Sequence, residues 1–265
     1  MIGIFAALGR ELKPIKACFP NLEEFRESGV LFSTGRVRRA PPGDINQPAA
    51  VLVQTGIGFQ RAESAAKIAA NRFPLKLYVS TGFAGGLRNS IRVGDLVIGQ
   101  KIVSLLGSDA KVFTSDPEWT QSAEKSAEKA AGRFLGGIHL GSIATVRQIA
   151  GRSEDKKTVA KKTDAAALDM EAAAVAGVAE ERRIPFIAVR AVSDVLDEDL
   201  GFDGGLLLAD DGTFKWGAGL FYLASHHAAW GPLNRLRRQT NLAARSLGLF
   251  FQEFLVSPGG ARPSA

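Results

Sequence analysis

Cysteine occurs once, at Cys18, so no disulfide can form within the chain. Histidine occurs three times, at His139, His226 and His227, and with a single thiol this is a poor set of metal ligands. No metal site is therefore expected. Apolar runs are short: none reaches the roughly 18 residues needed to cross a bilayer. The opening MIGIFAALGRELKPIKACF has neither the basic leader nor the long apolar segment of a secretion signal, and the expected location is cytoplasmic. There is no G-x-S-x-G elbow and no Gly-rich loop ending in Gly-Lys-Ser/Thr, which removes support for acyl-hydrolase and P-loop readings. His226 and His227 would serve a triad only with a serine that no motif identifies.

What is present is an ordinary globular composition, 46% hydrophobic and 23% charged, in a chain of 265 residues that can bury a large core. The net charge of +6 invites a nucleic-acid reading. Apart from KKTVAKK (156–162) and RLRRQTNLAAR (235–245), however, the basic residues are scattered, and no nucleic-acid motif accompanies them. No nucleic-acid partner is expected.

MIGIFAAL, AVLVQTG, LKLYVSTG, DLVIGQKIV and PFIAVRAVSD read as strands, several so continuously apolar that both faces must be covered. Residues 61–73, 117–134 and the alanine-rich stretch from Ala165 read as helices. Strands alternating with helices imply an α/β fold with helices on both sides of the sheet. GRVRRAPPGDINQP (35–48) reads as an exposed turn, the acidic, Gly-rich stretch after Asp194 as a loop, and SPGGARPSA as a frayed tail. Residues 1–230 are expected to form the catalytic domain and 231–265 a basic amphipathic helix and tail. Leu233, Leu236, Ala243, Leu247, Phe250 and Phe254 fall near one side of that helix, suiting contact with the core, a partner subunit or a membrane surface.

Two Gly-rich turns follow strands. In VLVQTGIGFQRA, Gly56 and Gly58 open a helix as in a dinucleotide site, but Arg61 stands where the third small residue belongs. No acidic residue ends the next strand to hold a ribose, so NAD is not indicated. STGFAGGL (80–87) turns sharply and could aim backbone N–H groups at a ligand, or simply turn.

The carboxylates are more informative. Asp169, Glu171 and Asp194 interrupt apolar sequence, where an unpartnered charge would be costly. Asp169 and Glu171 sit near the start of the alanine-rich helix, two residues apart and so on different faces: one is suited to cap, the other to bind. Glu171 at a helix N-terminus suits the acceptance of two hydroxyl hydrogen bonds; an ordinary N-terminal charge preference explains it equally well. If the strands beginning at Met1, Leu75 and Pro185 run parallel, Glu11, the 81–86 turn and Asp194 emerge at one sheet edge. Two carboxylates there suit acid/base work on a bond that breaks with positive charge on a sugar.

Taken in order, GIFAALGREL, TGIGFQRAESAA, STGFAGGLRNSIRVGDLVI, ALDMEAAAVAGVA and IPFIAVRAVSDV make the chain resemble the nucleoside phosphorylase and nucleosidase superfamily over residues 1–197, most clearly its methylthioadenosine/S-adenosylhomocysteine nucleosidases. The resemblance implies a three-layer α/β/α phosphorylase/hydrolase-like fold around a mixed, partly barrel-like sheet, and a homo-oligomer, a dimer being favoured. It also implies roles. Glu11 matches the carboxylate that activates water, Met170 and Glu171 the pair that holds the ribose, and Asp194 after Ser193 the acid that protonates purine N7. The implied reaction is cleavage of an adenine nucleoside at its N-glycosidic bond, without a cofactor.

Three departures accompany the match. Phe83, beside Ala84 and Gly85 in the substrate turn, stands where serine is common. The segment 143–153 has no aromatic ring for the base, leaving Gln148 and Ile149 to replace it. The chain continues past the usual end in a manner that resembles hopanoid-associated nucleoside phosphorylases, which would imply a lipid-linked adenosine substrate and a peripheral membrane contact. Water is the expected nucleophile; inorganic phosphate as co-substrate would need several donors, for which Arg10, Arg61, Arg88 and the amides of Gly56 and Gly58 are available. A nucleoside-binding module without turnover is the alternative outside enzymology.

Overall fold

The computed structural model describes residues 1–37, 49–133, 136–148, 150–200 and 230–257, without the side chains of 230–233. Most of the 35–48 insert, Ile149, His226, His227 and the tail from residue 258 lie outside the described residues.

The chain runs β1 (Ile2–Ala6), α1 (Gly9–Lys16), β2 (Leu22–Glu27), β3 (Val30–Arg36), β4 (Ala49–Gln54), α2 (Phe59–Arg72), β5 (Leu77–Gly86), β6 (Leu96–Ser104) and β7 (Lys111–Thr114). It continues through α3 (Pro117–Ala130), β8 (Ile138–Thr145), α4 (Ser153–Thr163), β9 (Ala167–Asp169), α5 (Ala172–Arg182), β10 (Phe186–Asp194) and α6 (Trp230–Phe254). The five strands expected from apolar runs are β1, β4, β5, β6 and β10. β1 pairs in parallel with β4 and β5, and β5 in parallel with β10, so the carboxyl ends of all four strands open on one edge.

At that edge the sheet curls on itself. β5 pairs with β10 and β9, β10 with β6, β6 with β8 and β8 with β9, closing a small mixed barrel inside a larger sheet that extends through β1 and β4 to the β3–β2 hairpin. Helices cover both faces. The alanines of α2 and α5 allow close packing in one apolar cluster; α1, α3 and α6 contribute to the other. The mixed, partly barrel-like α/β expectation is met.

The start of the alanine-rich stretch is corrected. Residues 167–169 form strand β9 and the helix begins only at Ala172, so Asp169 ends a strand and Glu171 stands in the turn before a helix. Pairing of Leu168 with Gly85 and Ala144 outweighs the local helical preference, as barrel closure requires. The C-terminal helix is amphipathic as expected. Its apolar side, Ala243, Leu247, Phe250, Phe251 and Phe254, is buried at 2% exposure or less in the same cluster as residues of β1, β4, β5 and β10. That face is therefore core and not a surface offered to a membrane. Among the described residues no helix is long and apolar enough to cross one.

Candidate active site

β1 delivers the chain into α1, and Glu11 sits in the first turn of that helix. Its side chain folds back, Oε2 accepting from the Leu8 amide at 2.7 Å, while Oε1 accepts from the Phe83 amide within β5 at 2.8 Å. Gly82 makes this approach possible. Its φ is +145°, and a Cβ there would lie 2.7 Å from Glu11 Oε1. Burial pushes the Glu11 carboxyl above its ordinary range, and the Phe83 and Leu8 amides and the Arg190 guanidinium oppose that shift.

Glu171 lies between β9 and α5, its Oε1 accepting from the Gly58 amide at 2.7 Å. Gly58 reaches it at φ +95° from the turn after β4, a conformation natural to glycine. The Glu171 carboxyl is pushed up to about 8, first by burial and next by the negative charge of Asp169; the Gly58 amide and Arg190 hold it down, while Glu11 adds to the rise. Asp169 itself is structural. It accepts from Thr145 Oγ1 at 2.7 Å and from the Ala172 amide at 2.8 Å, capping α5, and it pairs with the buried Arg190, which also donates to Ser80 Oγ at 2.7 Å.

Asp194 closes β10. The register with β5 slips between Val192 and Asp194, a bulge that turns the carboxyl toward Gly85, whose added Cβ would sit 3.1 Å from Oδ2. Oδ1 accepts from Ser193 Oγ at 2.8 Å, and Oδ2 accepts from Lys156 Nζ at 2.6 Å. Burial raises the carboxyl above its ordinary range; Lys156 is the largest opposing influence.

The 80–86 stretch expected to turn is instead the second half of β5, held in the barrel by pairing with β10 and β9. Its residues 82–85 and the turn at 56–58, together with Glu11, Glu171, Ser193 and Asp194, are thus brought to one edge. Met170 is partly buried beside Glu171, whereas Gln148 is exposed. Arg88 is held elsewhere, donating to the Asp164 carbonyl at 2.8 Å at the far end of α4. Arg10 is exposed and, with Lys13, Phe83, Arg237 and Arg245, lines a cleft of about 490 Å³ between α1 and α6. Two residues escaped sequence reasoning: Arg190, hidden in an apolar strand, and Lys156, which reads as part of a solvated basic run.

The family model described as the phosphorylase superfamily matches residues 1–204. The chain belongs to the phosphorylase superfamily. Within it, the protein is 29% identical over 219 residues to the 5′-methylthioadenosine/S-adenosylhomocysteine nucleosidase of Staphylococcus haemolyticus, spanning 77% of this chain and 91% of the relative. It is likewise 29% identical over 214 residues to the same-named protein of Actinobacillus succinogenes, spanning 76% and 88%. Among solved structures, the Neisseria meningitidis nucleosidase of that name, in complex with methylthio-immucillin-A, superposes with a TM-score of 0.73 at 20% identity over 96% of this chain and 97% of that one. Futalosine hydrolase of Helicobacter pylori superposes at 0.68 with 19% identity, over 94% and 96%. The fold is therefore that of the superfamily.

Proposed function

We propose that the protein hydrolyses the N-glycosidic bond of an adenine nucleoside. The observation that carries this reading is the convergence of Glu11 and Asp194, both buried, and the partly buried Glu171 on the edge where parallel strands end. In this reading Asp194 gives its proton to N7, so the purine departs neutral. Glu171 accepts from the ribose hydroxyls, and Glu11 takes a proton from water as it attacks the oxocarbenium-like carbon. The raised carboxyls suit this division: a proton retained on Asp194 is available to the base.

Phosphorolysis is the second reading, supported by the cations Arg10, Lys13, Arg237 and Arg245 around the cleft that adjoins Phe83. One experiment addresses both. Purified protein is incubated with 5′-methylthioadenosine, with and without phosphate, and products are separated by chromatography. Adenine with free sugar in both samples is expected. Adenine with sugar phosphate, only when phosphate is present, would replace hydrolysis by phosphorolysis. Absence of adenine would leave a different nucleoside or a non-catalytic binder.

A further inference from the structure

α4 is a hydrophilic helix of 11 residues, and the one it buries is Lys156. A lysine in that position is a costly choice for packing alone, because a buried ammonium loses several kcal/mol of hydration unless it is fully paired. Here it is fully paired. Nζ donates to Asp194 Oδ2 at 2.6 Å, to the Val195 carbonyl at 2.7 Å and to the Glu198 carbonyl at 2.8 Å, using all its N–H bonds on the end of β10 and the residues just after it.

Those residues are themselves tied down. The Glu198 carboxylate accepts from Arg235 Nε at 2.7 Å and from Gln239 Nε2 at 2.9 and 3.0 Å on α6. Asp199 accepts from the Ser153 amide at 2.6 Å, and the Leu200 amide donates to the Gly151 carbonyl at 2.8 Å. Lys156 thus places its positive charge on one oxygen of Asp194 from a hydrogen-bonded frame, leaving Ser193 on the other.

We infer that Lys156 is the positioning residue of the acid: it holds the Asp194 carboxyl in one orientation and supplies the countercharge to the carboxylate formed when the proton passes to the leaving base. This rests on the reading of Asp194 as that acid. The step balances without any change at lysine: a proton moves from Asp194 to the purine, the carboxyl becomes a carboxylate, and the ammonium stays an ammonium. Among the described residues, the charged groups facing Asp194 are Lys156 from α4 and Glu198 from the following loop, the latter partly neutralised by Arg235 from α6.

The test is the pH profile of kcat for adenine release from 5′-methylthioadenosine by wild type, Lys156→Met, Asp194→Asn and the double variant. An acid must be protonated to act, so activity falls as pH rises through its titration. Without the neighbouring cation that alkaline limb should move upward by about one unit or more. At the same time kcat should drop by about ten- to a hundred-fold, with little change in KM, because the carboxylate left behind is uncompensated. In the Asp194→Asn background, Lys156→Met should cost nothing further; a full additional loss would assign lysine a role independent of the acid. Should the Met variant not fold, Lys156→Gln, which can still donate to the carbonyls, should show the same shift. An unchanged limb and kcat in either folded variant would overturn the inference, as would failure of both to fold while Asp194→Asn folds. If wild type releases no adenine, it is the function reading that falls, and this inference with it.

Discussion

Glu171 carries a proton into the neutral range because burial and Asp169 both penalise its charge, lifting it to about 8. Two consequences follow at the scale of this residue. Ribose hydroxyls donate best to the carboxylate, so KM for a nucleoside should rise as pH falls below about 8, read from initial rates across pH. Stability should run the opposite way. A carboxyl whose folded value lies above its unfolded one favours the fold most below the ordinary carboxylate range, and that contribution is lost as pH rises toward about 8. The melting temperature of unliganded protein should therefore decline across that window, and Glu171→Gln should flatten the decline while weakening both kcat and KM. Unchanged kinetics in Glu171→Gln would reduce the residue to a helix-end charge. Asp194→Asn removes the proposed donor and should lower kcat by about 10²–10⁴-fold, with ribose binding retained.

At the scale of elements, the site depends on strand ends meeting in register. Gly82 within β5 lets Glu11 of α1 lie against the Phe83 amide, so Gly82→Ala should displace that carboxylate. A strained backbone of this kind costs about 1–3 kcal/mol, and turnover should fall more than melting temperature. The Arg190–Asp169 pair joins β10 to β9 and the start of α5 inside the barrel. Removing one partner strands the other without water, and Arg190→Met should lose about 3–5 kcal/mol in urea denaturation. Much of the element pattern was legible: β1, β4, β5, β6 and β10 are nearly continuous apolar runs. The β2–β3 hairpin was not, because as an edge with Glu23, Glu24, Arg26 and Glu27 it carries no such run. β9 has three residues, too few for any period to register, and takes its strand form from its neighbours on both sides.

At the scale of the molecule, α6 belongs to the core that supports the site. Phe250 stacks on Phe254, Phe251 meets both edge-on, and Phe254 lies tilted against Trp119 of α3, while Ser246 Oγ donates to the Gly94 carbonyl at 2.7 Å. Phe250→Ala should cost about 3–5 kcal/mol, measured by denaturant unfolding. Deleting the helix should give insoluble protein, and a soluble, folded truncation would show the helix to be an accessory.

The ordered motifs and the alternation of apolar strands with helices determined the α/β fold and its family, because these depend on local periodicity and short-range spacing. Glu11, Glu171 and Asp194 were singled out through the motifs that carry the resemblance. What only the tertiary structure decided is how those carboxyls are held and charged. Lys156 looks like one basic residue among many until α4 folds its ammonium against the end of β10, and Arg190 is an oddity in a strand until it meets Asp169. Charge depends on burial and on neighbours brought from tens of residues away, and no pattern along the chain encodes either.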